Sequence, residues 1–402
     1  MMRRAALLGS LLATGPAAYS ASWEFGAALA VTGEPRAGVF HQLESAGRKN
    51  LAVAGDTVAL VWTDNRAGVS QVHAAFRTRP DRGFEREWRV SGDAAAFDPT
   101  VIALSDGRFL IGWEEADAVW LRVATPTELG SPLRLSAASR QIALAPLGKS
   151  EAVAAWAEKA GAHARIVTAR IGVSGVAVVS HAAPQPVESD PPQQDQLYPS
   201  LAVNGRAVVV AWEDRRHGHT RLYYACSVDA KAFSAPIGLN EVADVRNVRF
   251  GRGSGVTRVA LASGGEQKVA ATWMDKRDYQ SGYGIYAAFM DEKCRFGANE
   301  KVQDEFGDQT PQWHPAIAMH STVGTVIAWD DMRDGTSDIW LSWKEPGGWS
   351  ENLAVPVAAG PRHQDNPVMA VDAQGNLHLA WLERDQPGGA SRVMYAVGKL
   401  AK

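Results

Sequence analysis

Four segments of the chain set a carboxylate and a guanidinium at fixed distances after a tryptophan: Trp62/Asp64/Arg66, Trp212/Asp214/Arg216, Trp273/Asp275/Arg277 and Trp329/Asp331/Arg333. Three more, Trp113/Glu115/Asp117, Trp156/Glu158/Ala160 and Trp381/Glu383/Asp385, keep the acidic residue and lose the arginine. Two chemistries fit this spacing. The aspartate can accept backbone hydrogen bonds in a turn while the arginine forks to a neighbouring carboxylate or carbonyl, linking one repeat to the next. Alternatively, the arginines converge and grip a carboxylate, sulfate or phosphate bidentately. One active site needs one copy of each group, so four copies favour the linking role.

The elements that carry the motif repeat with it. The seven tryptophans are separated by 51, 43, 56, 61, 56 and 52 residues and account for half of the chain's 14 tryptophans. A β-rich period of this length marks a blade array. Each unit opens with a strand such as 199–203, 315–319 or 367–371, turns at Gly, Asn or Asp, and continues into an apolar run ending at the tryptophan. Continuous apolar runs fit strands buried on both faces. A third strand carries aromatics, as in 221–225, 285–289 and 338–342. A fourth is marked by an anchor with apolar residues at +4 and +6: Phe84/Trp88/Val90, Leu129/Leu133/Leu135, Phe233/Ile237/Leu239 and Trp349/Leu353/Val355. Even offsets place each set on one face of a strand.

The last repeat stops after its third strand, and the first is preceded by an orphan segment in which Trp23, Ala27, Leu29 and Val31 copy the fourth-strand pattern. The expected fold is therefore an all-β, seven-bladed β-propeller over 23–402, closed by an N-terminal strand that completes the last blade. Residues 1–22 read as a signal peptide: Arg3 and Arg4, an apolar run from Ala5 to Thr14, then small residues before the cleavage point. This predicts a periplasmic or secreted protein without a membrane span. Net charge is −3, or −5 once the two arginines of the leader are gone, which gives no basic surface for nucleic acid or an anionic membrane. Cys226 and Cys294 fall in consecutive repeats, and spacing leaves open whether they are bonded.

Strand direction places the Asp/Arg turns on the same face as the crossovers between blades. Those crossovers are polar and aromatic (193–198, 309–314 and 362–366), and loops on a rigid scaffold are where propellers bind. Blades four to six, with adjacent intact motifs, form the expected binding arc. Its candidate ligand-binding residues are Arg216, Arg277, Arg333, Asp214, Asp275, Asp331, Tyr198, Trp313 and His314, with His217, His219, Tyr279 and Tyr283 nearby. The His217/His219 pair reads as a solvated turn rather than a metal site, and no motif calls for a metal or cofactor.

At Ser227, Asp229 and Phe233 the turn between third and fourth strands resembles the Asp-box of the sialidase superfamily, without its glycine. Asp291 before Phe296, Asp81 to Phe84, and Gly347 to Trp349 are similar. The resemblance implies a β-propeller that binds or cleaves acidic sugars. The family's enzymes have six blades and a Phe/Tyr-Arg-Ile-Pro motif near the start. Here seven repeats are counted, and Arg36 stands in Glu34-Pro-Arg-Ala. No tyrosine, glutamate and aspartate set is singled out for retaining glycoside cleavage. The leading expectation is an exported, non-catalytic module binding a protein or polysaccharide through the loop face of blades four to six. A sialidase-like glycoside hydrolase and a scaffold subunit of an envelope complex are the alternatives.

Overall fold

The computed structural model describes residues 22–43, 49–205, 207–242, 255–264, 269–277 and 282–401. Residues 1–21 of the leader expected over 1–22 lie outside them, as does Tyr279. Seven antiparallel sheets follow one another along the chain, each a meander with its first strand innermost. The fourth blade shows the pattern: Gln196–Asn204, Ala207–Asp214, Arg221–Ser227 and the short outer Ile237–Gly238. First strands pack against one another around the whole ring, from Leu51–Ala54 of the first blade to His363–Val371 of the seventh and back.

The seventh blade closes as expected. Ser22–Phe25 and Leu29–Ala30 pair antiparallel with the final strand Ser391–Ala401, Trp23 opposite Leu400 and Leu29 opposite Tyr395. The two ends of the chain thus share one sheet, and the ring has no unpaired seam. The anchor pattern also holds: Trp88 sits in Glu87–Arg89, Leu133 in Leu133–Ala137 and Ile237 in Ile237–Gly238.

The core is divided among the seven interfaces between blades rather than gathered in one place. The seven repeat tryptophans are the largest fully buried side chains, and each packs into the interface with the preceding blade. An indole burying 150–250 Å² contributes on the order of 4–6 kcal/mol as an upper bound, which explains why the position recurs. Cys226 and Cys294 form a disulfide between the fourth and fifth blades, with a Cα–Cα distance of 6.6 Å. No helix among the described residues is long and apolar enough to cross a membrane.

Candidate functional site

Acidic residues at +2 lie across the ladder from the chain entering the blade. His41, just ahead of the innermost strand, faces Asp64; the strand starts Gln196 and Val256 face Asp214 and Asp275; and Gln364, next to its strand's start, faces Glu383. The Asp/Arg turns and the incoming crossovers therefore share a face, as strand direction requires. Within that face the motif is an internal brace. The tryptophan indole donates to the carboxylate two residues on in six blades, at 2.8 to 3.2 Å. Trp381 is the exception, because Glu383 is drawn away by Arg362 and Arg392, at 2.8 and 2.6 Å.

The arginines complete the brace. Arg216 bonds Asp214 and reaches Glu188 of the preceding crossover; Arg277 bonds Asp275 and Glu241; Arg333 bonds Asp331 and Asp304. Each guanidinium also lies over a third-strand aromatic ring: Tyr223 at 4.3 Å, Tyr286 at 4.1 Å and Trp340 at 3.9 Å. Burial pushes the Asp214 carboxyl up, but hydrogen bonds from Arg216 outweigh it and hold the group below the usual carboxylate range. Asp214, Asp275 and Asp331 are all buried. This geometry is the linking arrangement weighed above. The indole donor was not anticipated, although the constant +2 offset places both side chains on one face of the strand and is its signal.

A second feature of the same face stands out. In blades two to seven the innermost strand is bulged against the second strand, between Phe97/Thr100, Arg140/Ala143, Leu197/Ser200, Thr257/Ala260, Trp313/Ala316 and Asp365/Val368. Every bulge holds one non-glycine residue at positive φ: Asp98 (52°), Gln141 (61°), Tyr198 (52°), Arg258 (63°), His314 (51°) and Asn366 (55°). Side chains with a Cβ rarely adopt this conformation, and such strain collects at functional sites. A bulge leaves a residue unpaired and re-aims its side chain. Six polar or aromatic residues thus form a crown on the innermost strands, and Tyr198 and His314 of the expected set belong to it.

In three blades the residue after the tryptophan is a carboxylate, buried at Glu213 and Asp330 and half-buried at Glu114, and it holds the crown from behind. Glu114 accepts from the backbone N–H of Gln141 at 2.5 Å, Glu213 from Arg258 at 2.9 Å, and Asp330 from Asn366 at 3.0 Å. Each contact crosses from one blade to the next. Gln141 Oε1 accepts from the N–H of Tyr198 at 2.8 Å, where the third blade offers only Ala157. Burial pushes the carboxyls of Glu213 and Asp330 above their ordinary range. His314 Nδ1 lies 2.8 Å from Asp330, Arg258 stacks 4.7 Å over the Tyr198 ring, and Arg384 clasps Asp365. Trp313, next to His314, meets the Tyr283 ring edge-on at 5.3 Å and keeps 39% of its surface exposed.

Sequence reasoning missed Asp98, Gln141, Arg258 and Asn366, together with the three supporting carboxylates. A signal existed: Asp98, Tyr198, His314 and Asn366 each precede a proline 13 or 14 residues ahead of the repeat tryptophan. Proline cannot donate to a ladder and is found at bulges. His217 bonds the Tyr223 hydroxyl at 2.9 Å, and no group of three or more metal-ligating side chains is placed to hold an ion among the described residues.

The fold places the chain among seven-bladed β-propellers. No protein-family model matches it, and no curated protein does so by sequence. Among solved structures it is similar to a polysaccharide lyase of family 25, an ulvan lyase bound to a glucuronate–sulfated rhamnose unit. That likeness has a TM-score of 0.60 and 10% identity, over 92% of this chain and 94% of the other. A protein of unknown function from Dyadobacter fermentans aligns over 94% and 99% (TM-score 0.53, 10% identity). An α-L-arabinanase from Penicillium chrysogenum aligns over 75% and 94% (TM-score 0.51, 13% identity). At these identities the likeness is one of fold.

Proposed function

We propose that this chain is an exported propeller that binds a polysaccharide on the crown of its loop face. The observation that carries the reading is the row of strained, non-glycine residues on six innermost strands. Strain repeated at one position in six blades, always at a polar or aromatic side chain, fits selection for what those side chains present. Trp313 supplies an exposed aromatic ring, and Tyr198 with Arg258 supplies a ring backed by a cation. Around them His314 and Asn366 offer hydrogen-bonding groups suited to hydroxyls, while the buried Gln141 holds the Tyr198 backbone in place. Arg216, Arg277 and Arg333 serve this surface as struts that fix its loops. Export agrees with a leader at 1–22 and with the Cys226–Cys294 disulfide.

Affinity electrophoresis of the purified protein through gels containing ulvan, arabinan or polygalacturonate tests the reading. Retardation by at least one gel is expected, and Trp313→Ala should weaken it tenfold or more. Retardation unchanged in a folded Trp313→Ala variant would remove the crown as the site.

A second reading is cleavage of the bound chain, and the His314–Asp330 pair favours it. A buried carboxylate 2.8 Å from an imidazole orients that ring as a proton acceptor. New reducing ends, or the ultraviolet absorbance of an unsaturated uronate, appearing with wild type and absent with His314→Gln would make the protein an enzyme.

A further inference from the structure

The rim of the loop face is low on one side. In blade two only 116–117 join the second strand to the third, against at least six residues in blades one, four, five, six and seven. Blade three keeps six residues beyond its Glu158–Arg165 pair, but as a paired hairpin that turns at 161–162. Blades two and three, like blade seven, also lack the arginine of the motif, so no guanidinium from it stands on either side of the gap. Between them opens a cavity of about 540 Å³ lined by Phe97, Glu114, Glu115, Asp117, Arg140 and Lys159, among others.

The cavity adjoins the crown. Phe97 precedes Asp98, and Arg140 precedes Gln141, on the innermost strands of blades two and three. Phe97 keeps 40% of its surface exposed, a large apolar face with no packing role to explain it. Two of the three acids are occupied: Glu114 accepts from the Gln141 N–H, and Glu115 accepts from the Trp113 indole and the Gly92 N–H, at 2.9 and 3.0 Å. Arg140 and Lys159 are exposed, and neither side chain has an ion-pair or hydrogen-bond partner among the described residues. Glu114 and Glu115 keep their charge but turn oxygens to those N–H donors, so Arg140 and Lys159 are the cavity's two cations without a partner among the described residues, beside Asp117.

We infer that this gap is an extension subsite through which a polysaccharide chain leaves the crown, and that it takes an anionic sugar residue. The inference rests on the glycan-binding reading of the crown and adds where the chain runs and what it carries. The sugar ring would lie on Phe97, with its carboxylate or sulfate against Arg140 and Lys159, a geometry suited to fork and point-charge donors respectively. A chain bound this way is held along its length and not only at an end. Affinity should then rise with the number of residues.

Calorimetric titration with purified oligogalacturonides of three and six residues, and with neutral arabino-oligosaccharides of the same lengths, tests it. Wild type should bind the acidic hexamer about tenfold more tightly than the trimer, with no comparable gain for the neutral pair. The Phe97→Ala/Arg140→Ala/Lys159→Ala variant should bind the trimer as wild type does and lose the gain. A gain that survives in the triple variant, an equal gain for neutral chains, or loss of trimer binding in the triple variant would overturn the subsite while leaving the crown standing. Trp313→Ala should lose both lengths. If it does not, or if wild type binds none of these probes, the crown and the subsite fall together.

Discussion

Arg77, on the third strand of the first blade, donates a hydrogen bond of 3.3 Å to the phenol of Tyr395, which lies 318 residues away on the last strand of the chain. The contact spans the seam where the ring closes. Tyr395 Oη is also 2.5 Å from His378 Nδ1, and His378 Nε2 is 3.2 Å from Asp372. Asp372 can only accept, so Nε2 carries the proton, Nδ1 accepts from the phenol, and the phenol accepts from Arg77. Burial pushes the Tyr395 hydroxyl up to about 12, which keeps it a donor throughout the working range. Arg77 also donates to the carbonyls of Pro80 and Arg82, tying the outer turn of the first blade to the same chain of bonds.

Tyr395→Phe removes the middle of this chain and leaves a buried guanidinium and a buried imidazole short of a partner. A loss of about 1–3 kcal/mol is expected. Urea unfolding should show it as a lower midpoint at constant slope, and an unchanged midpoint would mean that the seam is held by strand pairing alone.

His41 is buried on the first blade, its backbone N–H bonded to Ser391 Oγ of the seventh at 2.7 Å. Burial, opposed by the nearby Asp64, pushes its imidazole down to about 4. The unfolded chain takes up a proton near 6.5, while the folded chain resists until about 4. Stability therefore holds above pH 6.5 and falls as pH drops between these values, by up to ~1.4 kcal/mol per pH unit for this one group. His378, also lowered by burial, adds in the same direction, while Glu213 and Asp330, raised by burial, act against it. Comparing wild type with His41→Asn across pH 4 to 7.5 isolates the His41 share: the wild-type curve should fall more steeply on the acid side.

Asp331 is fully buried and serves both the Trp329 indole, at 3.0 Å, and the Arg333 guanidinium. Asp331→Ala takes the bidentate carboxylate from a buried cation, leaving it Asp304 at 3.1 Å, and should cost up to about 3–5 kcal/mol. Removing Arg333 as well takes away the under-compensated charge, so the double variant should lose less than the two single losses added together. Additive losses in chemical denaturation would show that the two side chains act separately.

The Cys226–Cys294 bond closes a loop of 68 residues between adjacent blades. Replacing both cysteines by serine should lower stability by about 2–5 kcal/mol, read as a drop in thermal midpoint. Crown binding should persist, because neither cysteine belongs to the loop face.

Much of the architecture was written into the chain. A tryptophan at the end of an apolar run, seven times over, implies seven equivalent sheets, because a side chain of that size needs the same pocket in each. The echo of Trp349, Leu353 and Val355 in Trp23, Leu29 and Val31 implies the closing strand. Local alternation and repeat spacing carry such information, since strand faces follow from a two-residue period whatever the distant surroundings. The constant acidic residue after each tryptophan was visible too, and the preference for a linking role agrees with the brace it forms.

Tertiary structure decided which polar residues share a surface. Asp98 and Asn366 share only a following proline and Gln141 and Arg258 lack even that, and it is the bulge at the same depth of each innermost strand that brings them onto one crown. Glu114, Glu213 and Asp330 look like solvent-facing partners of the motif acids, yet the two-residue period turns them toward the following blade, where they hold its bulge. Whether Cys226 meets Cys294 and whether Arg77 finds Tyr395 depended likewise on the angle between neighbouring sheets. That angle is set by how the interfaces pack around a closed ring, a property of the whole circle that no single segment contains.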